Sequence, residues 1–334
     1  MKKKLLSALL CAAMVASLVI GCGSKEEPAA EAPAATEDAE VSAEEVEEAE
    51  DEENYETGDA SLDNTRNQDE IGENELLVVS FGTSFNDNRR LTIGAIEEKI
   101  EAAFPEYAVR RGFTSQIIID HVMSRDNVKI DNVAEALDRA VANGVKNLVV
   151  QPTLLMNGIE YEELTTTLAE YSDSFESVTV GEPLLTSDED FQKVATAIVD
   201  ATAEYDDGKT AIVFMGHGTH HESNAVYAKM QTVLTEGGHK NYFVGTVEGS
   251  PMLEEVMPLV EAGGYERVVL RPLMIVAGDH ANNDMAGLEE AGAWAYEFEA
   301  AGYEVVSVVE GLGQIEAIQD LLVEHTKAAV DSAK

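Results

Sequence analysis

From Leu76 onward the chain alternates short, almost wholly apolar runs rich in β-branched residues with longer stretches whose apolar positions recur every three or four residues. The first kind suits strands buried on both faces and the second suits amphipathic helices, so the alternation predicts parallel sheet covered by helices. Strands are expected at 76–81, 107–113, 147–155 and 177–180, and again at 210–215, 242–247, 267–275 and 304–309. Helix ends fit the same plan. Val226, Met230, Val233 and Leu234 keep helical spacing ahead of Gly237-Gly238. Ser250-Pro251 has the form of an N-cap with proline at the first helical position, opening a helix that ends near Gly263.

The two sets of four strands repeat one another. The run beginning "LLVVSFGTSF" lies over "AIVFMGHGTHH", and "GVKNLVVQPTLLMNGIEYEEL" lies over "GYERVVLRPLMIVAGDHANNDM", with Pro152 and Gly158 spaced as Pro272 and Gly278 are. Such self-similarity predicts two α/β halves facing each other across a cleft, with ligands beyond the carboxyl ends of the strands. In this alignment Thr83 stands opposite His217, Thr114 opposite Glu248 and Glu160 opposite His280.

The amino terminus does not share this pattern. A lysine-rich start, an apolar stretch and the ending Val19-Ile20-Gly21-Cys22 have the form of a secretory signal peptide. Roughly a third of the acids lie between Lys25 and Glu75, where Ala, Pro, Glu and Asp dominate, so this segment reads as a solvated, self-repelling tether. The expected organisation is therefore a signal peptide at 1–21, an acidic disordered tether at 22–74, and α/β halves at 75–205 and 206–334. The net charge of −42 argues against nucleic acid as a partner. Of the two cysteines, Cys11 lies in the signal and Cys22 at its end, so the body has no thiol for catalysis, thiolate ligation or a disulfide.

The candidate chemistry falls at strand ends of the second half. His217 follows its strand in a Gly216-His217-Gly218 turn, Glu248 follows the next strand, and His280 follows Asp279 after the third. Two imidazoles and a carboxylate on one sheet edge suit a divalent first-row metal. Of seven histidines, His220, His221 and His239 read rather as helix-starting or surface residues, and His121 and His325, in helical segments, as structural or solvated. The opposite wall would come from "SFGTSF" and "LLMNGIEY", with Thr83, Ser84, Phe85, Met156 and Asn157 as substrate-binding candidates beside Gly216, Gly218 and Asp279.

These residues carry a resemblance. "LLVVSFGTS", "IVFMGHGTHH", "VGTVEGSP" and "RPLMIVAGDHANNDMAG" resemble the anaerobic cobalt chelatases, the sirohydrochlorin cobaltochelatases within the class II chelatases, from about Leu76 to the final helix. The resemblance implies two Rossmann-like domains with four-stranded parallel sheets and a tetrapyrrole in the cleft between them. It implies insertion of Co2+, with Fe2+ and Ni2+ as alternative substrate metals, catalysis and metal binding by His217, Glu248 and His280, and no organic cofactor. An apolar lining from residues such as Phe85, Met156 and Met274 would hold the ring, with Arg89, Arg90, Arg110, Arg111 and Arg271 as candidates to offset its carboxylates.

The "VIGC" ending resembles a bacterial lipobox, which implies lipidation of Cys22 and an exported protein anchored to the outer face of the cytoplasmic membrane, or periplasmic. A second reading, an exported lipoprotein that binds metal or tetrapyrrole for uptake without turnover, keeps the cleft but needs no proton release. A homo-oligomer is compatible with either.

Overall fold

The β-branched runs form the strands of two sheets. In the computed structural model, which describes residues 57–289 and 291–333, these are β1 (Asn74–Ser80), β2 (Ala108–Phe113), β3 (Asn147–Pro152) and β4 (Ser177–Val180), then β5 (Thr210–Gly216), β6 (Tyr242–Thr246), β7 (Arg267–Pro272) and β8 (Glu304–Ser307). All pairings are parallel, in the orders β2-β1-β3-β4 and β6-β5-β7-β8. The shared order bears out the duplication. Leu76 to Val79 and Ala211 to Met215 have no exposed surface, as central strands covered on both faces require.

Between the strands run α1 (Asn86–Arg89), continued by a π turn into α2 (Ala95–Ala103), then α3 (Gln116–Asp126), α4 (Val133–Ala142), α5 (Ile159–Tyr171) and α6 (Asp188–Ala201). The second half adds α7 (Ala225–Glu236), α8 (Leu253–Gly263), α9 (Trp294–Ala300) and α10 (Glu316–Ser332). α7 stops at Gly237, as its spacing predicts. α8 does not start at Pro251: it opens at Leu253, where the Glu255 carboxylate accepts from the Met252 amide at 2.9 Å and the Ser250 hydroxyl at 3.2 Å.

The boundary at 205 divides the sheets but not the helices. α10, from the second half, packs on α2, β3 and β4 of the first, where Thr326 donates to Gln151 Oε1 at 3.2 Å and Lys99 pairs with Asp320 at 2.5 Å. α6, from the first half, packs on α7 of the second, and its end accepts a hydrogen bond from Arg271 through the Ala201 carbonyl at 3.3 Å. Each half thus lends its last helix to the other, and one apolar core runs through Leu76, Ile96, Val194, Phe214, Met230 and Leu321. Burying these faces against one another ties the walls of the cleft together.

The expected acidic tether does not extend to residue 74. Residues 57–73 are folded against the first half: Thr57 and Arg66 are buried, and Asp63, with 3% of its side chain exposed, pairs with Arg89 and Arg111. Burial alone would raise the Asp63 carboxyl, but the hydrogen bonds and charge of Arg111 and Arg89 outweigh it and hold the group below the usual carboxylate range. Hydrophobic patterning misses this segment because it is attached by ion pairs. The expected signal peptide at 1–21, the expected lipidation at Cys22 and the rest of the expected tether, 22–56, lie outside the described residues.

Candidate metal centre

Strand register corrects the alignment of the halves. Val79 pairs with Pro152 as Met215 pairs with Pro272, which sets Phe81-Gly82-Thr83 over His217-Gly218-Thr219. Ser80 pairs with Phe113 as Gly216 pairs with Thr246, which sets Ser115 over Glu248. Phe81 and Ser115, not Thr83 and Thr114, are therefore the counterparts of His217 and Glu248, while Glu160 remains that of His280. The glycine after each strand explains the correct match: Gly82 and Gly218 have φ of +111° and +90°, a left-handed turn that glycine adopts without strain.

At the carboxyl edge of the second sheet, His217, Glu248 and His280 come together, each with a ligand atom within 4.8 Å of the others. The Glu248 amide donates to the His217 carbonyl at 2.8 Å, and the two side chains stand 3.8 Å apart, Nδ1 to Oε2. Close backbone packing makes this junction: a Cβ on Gly218 would lie 2.3 Å from the Gly249 nitrogen. Asn224 fastens both loops, its Oδ1 accepting from Thr219 N at 3.1 Å and its Nδ2 donating to the Ser250 carbonyl at 2.8 Å.

Each imidazole is oriented by a bond at Nδ1. In His217 that atom lies 2.8 Å from the Gly218 carbonyl, and in His280 it lies 2.6 Å from Asp284 Oδ2. Acceptors at both Nδ1 positions assign the proton there and the lone pair to Nε2, the tautomer suited to metal ligation. Asp284 escapes sequence reasoning, although its place four residues after His280 is the signal that could reveal it. The intervening Ala281–Met285 turn is π-helical, an irregularity frequent at functional sites.

Exposure grades the three groups. The His217 and Glu248 side chains are 44% and 39% exposed, whereas that of His280 is 15% exposed. The site therefore has one inner imidazole and two outer groups reachable from solvent.

A cleft of about 330 Å³ adjoins it, with His217 and Glu248 on one side and Phe81, Leu155, Met156 and Ile159 on the other. Of the expected wall residues, Met156, Met274 and Gly218 line this cleft. Thr83, Ser84 and Phe85 do not line it and are buried beneath the loop, where Thr83 Oγ1 accepts from Phe85 N at 3.3 Å. Asn157 is exposed to solvent outside the lining, and Asp279 accepts from Asn283 Nδ2 at 2.6 Å. Gly216 closes β5 against the Tyr227 ring, which a Cβ would meet at 2.1 Å. Tyr227, absent from the sequence expectation, lines the cleft and accepts from the Gly218 amide at 3.2 Å, and burial pushes its phenol up to about 12.

The remaining histidines divide much as their positions predict. His221 accepts from Ser223 N at 3.2 Å and caps a short helix, His239 rests edge-on against Tyr242, and His325 bonds Asp190 at 3.0 Å. His220, by contrast, lines the cleft.

The arginines do not meet the substrate as expected. Arg89, Arg110 and Arg111 are fully buried and paired with Asp63, Glu75, Glu97 or Asp131. Arg271 is nearly buried beside Glu310, and Arg90 lies 3.4 Å from Asp87. Among the described residues, neither Lys nor Arg lines the cleft.

Known proteins share the sequence and the fold of this chain. Residues 74–331 match the family described as cobalt chelatase (CbiK). A sirohydrochlorin cobaltochelatase of Salmonella typhimurium is 35% identical over 258 residues, spanning 77% of this chain and 97% of that protein. Sirohydrochlorin cobaltochelatase CbiKC of Nitratidesulfovibrio vulgaris is 30% identical over 259 residues, spanning 77% of this chain and 90% of that protein. In fold, SirB from Bacillus subtilis with Fe3+ superposes with a TM-score of 0.53 at 15% identity, covering 78% of this chain and 97% of that one. This is the class II chelatase fold, and the chain belongs to the cobalt chelatase (CbiK) family.

Proposed function

We propose that this protein inserts Co2+ into sirohydrochlorin, with His217, Glu248 and His280 holding the incoming metal. Family membership supports the reaction, and the convergence of these three ligands at the rim of an apolar cleft is the observation that carries the site. Insertion replaces two pyrrole protons with one divalent cation. As Co2+ passes to the ring nitrogens, the Nε2 lone pairs it vacates on two imidazoles can accept those two protons. Glu248, partly open to solvent, then passes them out. Phe81, Met156 and Ile159 would hold the macrocycle by apolar contact, and its carboxylates would point toward solvent. Fe2+ and Ni2+ suit the same donors and are proposed as alternative substrates.

The test is anaerobic incubation of the full chain with sirohydrochlorin and excess Co2+, following the absorption of the metallated ring. Many turnovers per chain support the proposal. Stoichiometric binding of either compound without turnover would instead identify a metal- or tetrapyrrole-binding protein.

We also propose export and lipid anchoring at Cys22, which the signal-like start and the Val19-Ile20-Gly21-Cys22 ending support. Labelled fatty acid should enter the unaltered chain and be lost, with membrane association, in Cys22→Ala. Equal membrane recovery of that variant would reject the anchor.

A further inference from the structure

Residues 57–66 precede the segment that matches the family, which begins at 74, yet they clamp the first wall of the cleft. The Thr57 carbonyl accepts from the Asp87 amide at 2.8 Å, and Asn86 Nδ2 donates to the Gly58 carbonyl at 3.2 Å. In this strap Gly58, whose φ of +94° favours glycine, passes close to α1, where a Cβ would lie 2.3 Å from the Asp87 carboxylate carbon. Asp63 then accepts from Arg89 Nε at 2.6 Å and from Arg111 Nη1 at 2.7 Å. All three side chains are at least 97% buried, so removing one leaves its partners as poorly compensated charges.

The remaining donors of Arg89 brace the cleft loop. Nη1 donates to the Thr83 carbonyl at 3.0 Å and Nη2 to Asn86 Oδ1 at 2.5 Å. The residue before it, Asn88, reaches the other half: its Oδ1 accepts from the Ala277 amide at 2.8 Å. Ala277 lies three residues before His280. Thr83 packs at the same junction, its Oγ1 being 3.2 Å from where a Cβ would stand on Gly278.

We propose that Asn88 is a positioning residue for metal insertion: braced by Arg89 and the strap residue Asp63, it fixes the Ala277 backbone and thereby sets His280 against His217. The role rests on the metal-insertion reading, but it can be read without turnover. Co2+ alone, titrated into the full chain and followed by its visible absorption, reports the centre directly, and cobalt insertion reports the reaction.

Asn88→Leu removes the acceptor, whereas Asn88→Asp keeps one. The Leu variant should bind Co2+ about tenfold more weakly and raise the KM for Co2+ similarly, while the KM for sirohydrochlorin stays unchanged and Asn88→Asp stays near the unaltered chain. Asp63→Asn should show the same split where its circular dichroism is native. Unchanged Co2+ affinity in a folded Asn88→Leu overturns the proposal, whatever Asp63→Asn does. An unaltered chain that binds Co2+ without metallating sirohydrochlorin overturns the function proposed above, and the titration then still decides the role of Asn88.

Discussion

His217 and His280 meet edge to face, their ring centroids 4.5 Å apart and their planes at 84°. They reach this position from the ends of β5 and the loop after β7, so the contact depends on the register of two neighbouring strands. If the pair acts as one metal site, its members cannot contribute independently. Co2+ affinity of the His217→Ala, His280→Ala double variant should then fall little below that of either single variant. Additive losses in the titration would separate the two residues.

Asp284 orients the inner imidazole through a 2.6 Å bond to Nδ1. Asp284→Asn keeps the shape but removes the charge that favours the Nδ1–H tautomer. Co2+ affinity should fall by about ten- to a hundredfold with the fold intact, as for other partners of metal-bound histidines. Calorimetric titration at fixed pH measures this, and an unchanged affinity would show that the carboxylate does not orient the ligand.

Gly218 and Gly208 separate site geometry from backbone strain. Both have left-handed φ, +90° and +77°, but a Cβ at Gly218 would strike the Gly249 backbone, whereas one at Gly208 meets nothing within 4 Å. Alanine at either position should cost on the order of 1–3 kcal/mol of unfolding free energy. Only Gly218→Ala should also weaken Co2+ binding, since it forces Glu248 away from His217. Comparable metal affinity in the two variants would contradict the close-packed turn.

Glu75 makes stability depend on pH. Burial pushes its carboxyl up to about 7, against the pull of Arg110, which Asp131 shares. Between the ordinary carboxylate pKa and about 7 the folded chain retains a proton that the unfolded chain releases, so this stabilisation is lost as pH rises through that window. Glu75→Gln, which mimics the neutral acid, should reduce the loss of stability between pH 5 and 8 by about 2 kcal/mol in urea unfolding. Parallel pH profiles for the two proteins would refute this role.

Strands, duplication and the candidate metal-binding residues His217, Glu248 and His280 are legible in the sequence because each leaves a local mark: an apolar run, a glycine turn, or a polar residue at a strand end. The strap is not, because Asp63 and Arg66 stand among other charged residues and become buried only by pairing with Arg89, Arg111 and Glu97. The same blindness makes Arg89, Arg110 and Arg111 look available to an anionic substrate. Periodicity also identifies an apolar face on α10 without saying which sheet it covers, since Ile318, Leu321 and Leu322 would suit either. The match of Phe81 to His217 needs strand register, because side chains so different in chemistry carry no similarity to align.

His217, Glu248 and His280 are proposed to deliver the metal to the ring. The most direct test of this role is single-turnover anaerobic insertion of Co2+ into sirohydrochlorin by the full chain, His217→Ala and His280→Ala, each verified as folded. The rate should fall by about a hundredfold or more in both variants, as expected where a proton acceptor and a metal ligand are lost together. Insertion by either variant at the rate of the unaltered chain would contradict this role.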